Sequence, residues 1–386
     1  MAYLYDLFTN RYFLALTAIF LPLLLSLRLY PVIILLVRSK NLMDEPVDRS
    51  THTSKTPTLG GVAIFIAYSI SLILLTLMIQ TQQGEMARLL AILGATNILM
   101  FLGIKDDLIG LSPKKKFSIQ FFAAAIIVFA TDLRIVSFFG LFGLYELPYI
   151  ISVLFTIFVF ILVINAFNLI DGIDGLAGSV GIISSLAFAY FSFLNGRTTM
   201  LLVSLVLVGS LIGFLIFNIS KNRKIFMGDS GSMFVGFLLA YQAISLMDFH
   251  SFGTTATVQL EAPIMAMAIL SYPLLDTLRV FIIRISQKRS PFSADRNHIH
   301  HKLLDLGLSH KKASLTIVGI NITIIALAYG VQDLNINLQL FILLLCTPLF
   351  YIGPWQLRNR GRNSKQTMSR KRKLATFRAF LNSFLG

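Results

Sequence analysis

Residues 149–194 read YIISVLFTIFVFILVINAFNLIDGIDGLAGSVGIISSLAFAYFSFL, two apolar runs joined by Asn165-Ala166-Phe167-Asn168-Leu169-Ile170-Asp171-Gly172-Ile173-Asp174-Gly175-Leu176-Ala177 with almost no loop. Each run is long enough to cross a hydrocarbon core as a helix, which takes about 20 mostly apolar residues. Two carboxylates and two amides therefore stand at membrane depth. Ionisable groups there are costly and carry function by default, and the glycines permit a broken helix around a site. In a helical reading Asn168 and Asp171 lie one turn apart on one face, with Asp174 a turn further on, so all three reach one ligand.

The rest of the chain repeats the pattern. Of 386 residues, 56% are apolar and only 13% charged, against about 25% charged in soluble domains. Apolar runs near 12–37, 59–79, 87–104, 117–131, 149–170, 172–194, 199–217, 232–246, 262–285, 313–330 and 338–355 predict an all-α polytopic membrane protein with eleven crossings. The run from Tyr12 to Val37 exceeds a signal-peptide core and lacks a basic leader, so it is expected to remain as a spanning helix. No repeat of 20 to 50 residues appears. One transmembrane domain, 1–357, followed by a basic tail, 358–386, is the expected organisation.

The net charge of +15 does not imply nucleic acid, because the basic residues lie between apolar runs. Lys and Arg are retained on the cytoplasmic side of short loops. The loops holding Arg38 and Lys55, Lys105 to Lys116, Lys221 to Lys224 and Lys288 to Lys312 are the basic set, so the N-terminus is expected outside and the tail in the cytoplasm. The single cysteine, Cys346, excludes both a disulfide framework and a thiolate metal site within the chain.

Four further segments meet the same basic face. Lys55-Thr56-Pro57-Thr58-Leu59-Gly60-Gly61 opens the second run, where a helix N-terminus favours an anion. Lys105-Asp106-Asp107 puts two repelling carboxylates at a membrane surface, which suits metal handling or proton transfer. Phe226-Met227-Gly228-Asp229-Ser230-Gly231-Ser232 places Asp229 where a hard cation finds a ligand. Mg²⁺ takes one or two carboxylates with phosphates and water completing its shell; the bland alternative is a helix N-cap. Ser290-Pro291-Phe292-Ser293-Ala294-Asp295-Arg296-Asn297-His298-Ile299-His300-His301 gathers three of the six histidines beside Arg296 and Lys302, a pattern that favours an anion over zinc.

Asp-Asp, Asn-x-x-Asn-x-x-Asp-Gly-x-Asp-Gly-Leu and Gly-Asp-Ser-Gly-Ser, in that order, resemble the polyprenyl-phosphate N-acetylhexosamine-1-phosphate transferase family over nearly the whole chain. The histidine loop is most similar to the bacterial undecaprenyl-phosphate N-acetylglucosaminyl-1-phosphate transferase branch (WecA type). The sister phospho-N-acetylmuramoyl-pentapeptide transferases rank second. Gly110 stands where some acid-rich relatives carry a third acid.

The resemblance implies UDP-N-acetylglucosamine and undecaprenyl phosphate as substrates, the lipid-linked sugar diphosphate and UMP as products, and Mg²⁺ or Mn²⁺ as cofactor. It further implies the bacterial inner membrane with a cytoplasmic site, a start to O-antigen, common antigen or teichoic acid synthesis, and leaves a homodimer open. By motif position, Asp229 with Asn168 would bind the metal, Phe226 would stack on uracil and Asp174 would hydrogen-bond it, with Asp171 and Asn165 shaping the cleft. Asp106 and Asp107 would face the acceptor phosphate. Lys55, Asp295, Arg296, His300 and His301 would hold the diphosphate or sugar, with His298 in a catalytic position. Single displacement by the lipid phosphate and a covalent route through Asp107 both remain open. The non-enzyme alternative is an ion-coupled transporter with a broken-helix site.

Overall fold

The computed structural model describes residues 8–40, 43–44, 56–79, 83–248, 262–290 and 297–353. Lys55, Asp295, Arg296 and the basic tail lie outside the described residues.

The chain folds as helices in antiparallel succession. They are α1 (Arg11–Ser39), α2 (Gly60–Leu77), α3 (Gln83–Ile109), α4 (Pro113–Thr131), α5 (Tyr149–Ile170), α6 (Leu176–Leu194) and α7 (Thr198–Asn218). There follow α8 (Gly228–Met247), α9 (Ala262–Ile269), α10 (Ser271–Ser286), the short α11 (Ile299–Asp305), α12 (His310–Gly330) and α13 (Ile336–Gly353). Two small antiparallel ribbons lie in loops: β1 (Met43–Asp44) with β2 (Thr56–Pro57), and β3 (Ser137–Leu141) with β4 (Leu144–Glu146).

Among the described residues, nine helices are long and apolar enough to span a membrane, ten if the bent pair α9–α10 forms one crossing. The expected fourth crossing exists as α4, but Lys114 to Lys116 fill its first turn and leave an apolar stretch shorter than the usual ~20 residues.

The run at 262–285, expected as one crossing, is bent by 74° between α9 and α10. The cause is local. Pro273 has no N–H to give Ile269, so the helical ladder breaks there. The freed Ile269 carbonyl accepts from Ser184 Oγ at 3.2 Å and from Asn321 Nδ2 at 3.3 Å, and the Ala268 carbonyl accepts from Asn321 at 3.2 Å. Broken helices survive at membrane depth where neighbouring side chains satisfy the backbone in this way.

The centre of the bundle is α8, with 94% of its apolar window buried against 22% for the peripheral α1. Helices α2, α3, α5, α6 and α9 pack around it. Such contact needs small residues at the crossing, since lipid supplies no hydrophobic drive between helices. A Cβ on Gly61 would collide with the Gly231 backbone, and one on Gly103 with the Ser230 backbone. Both crossings fall at the N-terminus of α8, so the backbones of α2 and α3 close on the residues that flank Asp229.

Candidate active site

The site grows from that helix start. Gly228 has φ +72°, and a Cβ there would stand 2.7 Å from the Asp107 carboxylate. Asp107, from the last turn of α3, accepts from Asp229 N at 2.7 Å and from Ser230 N at 3.1 Å. An acid on a helix N-terminus satisfies orphan amides and matches the helix dipole. Asp107 thus anchors α8 and fixes the backbone of Asp229.

Each oxygen of Asp229 is oriented in turn. Oδ1 accepts from Asn168 Nδ2 at 2.7 Å, while Asn168 also donates to Ser232 Oγ at 2.7 Å. Oδ2 accepts from Lys116 Nζ at 2.8 Å. The same ammonium pairs with Asp106 Oδ2, so one cation bridges two carboxylates of different helices. Asp106 is held from the other side by Leu111 N at 2.7 Å on Oδ1. The Asp106 side chain is only 3% exposed and that of Asp229 33%, which makes Asp229 the acid a soluble ligand can reach.

A second group stands beside the first. Lys224 Nζ donates to Asp174 Oδ2 at 2.7 Å and lies 5.1 Å from the centre of the Phe226 ring. His310 Nδ1 approaches the same Asp174 oxygen at 3.0 Å, and Ser314 Oγ donates to the Asp174 carbonyl. Burial raises the Asp174 carboxyl, but the hydrogen bonds from His310 and Lys224 outweigh it and hold the group below its ordinary value. Asp171 goes the other way. Burial and the negative charges of Asp229, Asp107 and Asp174 push it up to about 7. The segment 56–61 closes this side: Phe226 N donates to Pro57 O, and Gly60 N and Gly61 N donate to Phe226 O and Met227 O, each at 2.9 Å.

The histidine segment docks on the α5–α6 turn. His300 lies so close to Gly172 that a Cβ there would strike its ring. Burial pushes His300 down to about 3, so it acts as a neutral hydrogen-bonding group. His298 and His300 stack with centroids 5.4 Å apart, and His301 stands 4.3 Å from His300. Asn165 turns elsewhere: its Nδ2 donates to Gln120 Oε1 at 2.7 Å and ties α5 to α4.

The structure therefore brings together Asp106, Asp107, Asn168, Asp171, Asp174, Phe226, Asp229, His298, His300 and His301 at one end of the bundle. Sequence reasoning missed four partners: Lys116, Lys224, His310 and Asp276, the last 2.7 Å from His298 Nδ1. In the sequence the lysines carry only a topology signal. Asp276 carried a signal, being an acid inside an apolar run.

A second ionisable cluster lies at the opposite end, where Glu85, Arg88, Arg197 and Asp248 gather and Arg88 meets Asp248 at 2.8 Å. Charges at neighbouring helix ends pair there across loops. Along α8, fully buried Phe234, Phe237 and Leu238 separate the two clusters, which is not the polar path a transporter needs.

Among the described residues no group of three or more His, Cys, Asp or Glu is arranged to hold a metal ion. The donor set nonetheless fits a hard cation of the Mg²⁺ kind, because Asp106 and Asp229 already share one cation and phosphate oxygens complete such a shell. The Asn168 amide oxygen is left for the same purpose, as its Nδ2 is spent on Asp229 and Ser232.

Fold and site together define a polytopic, all-α membrane protein with a cluster of carboxylates, lysines and histidines at one end of its helices. The profile of the family described as Glycosyl transferase family 4 matches residues 89–247, from α3 through α8. The chain is 32% identical over 327 residues to the probable undecaprenyl-phosphate N-acetylglucosaminyl 1-phosphate transferase of Bacillus subtilis (strain 168), covering 84% of this chain and 87% of that one. It is 33% identical to the decaprenyl-phosphate N-acetylglucosaminephosphotransferase of Mycobacterium leprae (strain TN), over 70% of this chain and 72% of the relative. With the undecaprenyl-phosphate alpha-N-acetylglucosaminyl 1-phosphate transferase of Haemophilus influenzae it shares 27%, over 86% and 92%. The chain belongs to this family of polyprenyl-phosphate N-acetylhexosamine-1-phosphate transferases.

Proposed function

We propose that the protein transfers N-acetylglucosamine-1-phosphate from UDP-N-acetylglucosamine to undecaprenyl phosphate, releasing UMP, at the cytoplasmic face of a bacterial inner membrane. The observation that carries this reading is the shared cation position between Asp106 and Asp229, set beside the Asp174–Lys224–Phe226 group. The first suits a diphosphate, the second a base with a hydrogen-bonding edge and an aromatic face.

In this reading an oxygen of the lipid phosphate attacks the sugar-bearing β-phosphorus, and the bond from that phosphorus to the UMP oxygen breaks. A phosphate monoester has its second pKa near 6, so the acceptor is mostly dianionic at neutral pH and needs no strong base. The difficulty is the meeting of two anions. Asp229, with Asp106 and Asn168 in reach, would hold Mg²⁺ or Mn²⁺, which would supply charge neutralisation there. Lys116, paired with Asp106 and Asp229, is the protein's own cation at the same spot. Asp107 supports single displacement, because both of its oxygens already accept backbone amides of α8. The product would start an envelope glycan.

The test is to give the purified protein labelled UDP-N-acetylglucosamine, undecaprenyl phosphate and Mg²⁺, and to follow labelled lipid. Asp229→Asn is expected to lower the rate by roughly 100-fold or more, as loss of a main electrostatic group does. Full activity in that variant removes Asp229 from the metal site. Exchange of labelled UMP into UDP-sugar without lipid would establish the covalent route and sink single displacement.

A further inference from the structure

The short histidine segment is held by one face of one helix. Tyr272, Asp276 and Arg279 of α10 follow the i, i+4, i+7 spacing that aligns side chains along a helix. Each takes a successive part of the segment. Arg279 Nη1 donates to the Asn297 carbonyl, Asp276 Oδ1 accepts from Ile299 N at 2.8 Å, and Tyr272 OH meets His300 Nδ1 at 3.2 Å. Asp276 Oδ2 stands 2.7 Å from His298 Nδ1.

Asp276 is fully buried. A carboxylate sealed from water is costly unless paired and hydrogen-bonded, and what it is bonded to here is the histidine segment. An ionised carboxylate only accepts, so the Nδ1 of His298 must carry the proton. That fixes the tautomer and the ring plane. Among the described residues His298 Nε2 has no hydrogen-bond partner.

We propose that Asp276 is the positioning residue of the histidine loop: through Nδ1 it locks His298 so that Nε2 is presented as an acceptor to a hydroxyl of the sugar nucleotide. This deepens the transferase reading and rests on it for the identity of the ligand. The bend at Leu270 belongs to the same device. By turning α10 through 74° from α9, it aims the Tyr272–Asp276–Arg279 face at the segment.

A double-mutant cycle in the full-length protein tests it. Asp276→Asn is expected to lower kcat roughly 100-fold, the cost of a lost histidine-orienting carboxylate, with the thermal midpoint within a few degrees of wild type. His298→Gln is expected to lose at least as much. In the His298→Gln background, Asp276→Asn should then cost less than about 2-fold, because the acid acts through a ring that is no longer there. A full 100-fold loss in that background overturns the proposal and makes Asp276 a purely structural acid. Asp276→Glu, which keeps an acceptor, is expected to recover part of the rate and serves if the asparagine variant does not fold.

A second readout does not depend on turnover. In protein labelled with ¹⁵N-histidine, a hydrogen-bonded Nδ1–H signal should vanish in both His298→Gln and Asp276→Asn. Loss in the first with persistence in the second overturns the proposal. Absence of labelled lipid from the wild-type protein, with the signal behaving as expected, would instead fail the transferase reading and leave the positioning intact.

Discussion

At the residue scale the acids divide by what holds them. Asp107 is spent on two amides, Asp229 is oriented by Asn168 and Lys116, Asp174 is pinned by Lys224 and His310, and Asp171 faces three other carboxylates. Asp171 therefore gives a pH signature. Its carboxyl moves from 3.8 to about 7 on folding, so between those values the folded protein binds more protons than the unfolded one. Stability then falls as pH rises through that window and stays low above it. Thermal midpoints of the metal-free protein, taken from pH 4 to pH 8, should decline accordingly and flatten in Asp171→Asn. An unchanged slope in that variant places the titration elsewhere. For Asp107→Ala the expected loss is about 1–2 kcal/mol, the upper part of the range for a lost helix cap, measured by denaturation in detergent. Stability equal to wild type would remove the anchoring role.

At the element scale the close approaches and the helix break carry the geometry. A methyl on Gly61 must displace the backbone at Gly231, which a flexible side chain could yield to but a helix start cannot. Gly61→Ala is expected to cost about 1–3 kcal/mol by overpacking and to reduce activity by shifting Asp229. Gly94→Ala is the control, since nothing lies within 4 Å of its added carbon. Equal midpoints for the two variants would deny the tight crossing. Asn321→Leu strips donors from the carbonyls of Ala268 and Ile269 at the bend. It should lower both stability and turnover, because α10 would lose the direction that carries Asp276 to the histidines.

At the scale of the whole molecule, the helices alternate and place Lys221 at the site end and Asp333 at the far end, both exposed. In a Cys346→Ser background, Asp333→Cys should react with a membrane-impermeant maleimide in intact cells, and Lys221→Cys only after the membrane is opened. The reverse pattern would invert the proposed orientation. Much of this was legible beforehand. Apolar length, lysine-rich loops and the acids of 106–107, 165–175 and 226–232 determined membrane class, helix order and the shared end of the bundle, because burial in lipid forces helices and makes every charge conspicuous. Pairing across the bundle was not legible. That Lys116 bridges Asp106 and Asp229, that Asp107 caps α8, that α9 and α10 part at Leu270, and that Asp276 holds His298 are contacts between residues far apart in the chain. Periodicity reports which face of a helix is apolar but not which partner meets it; close packing alone selected those neighbours.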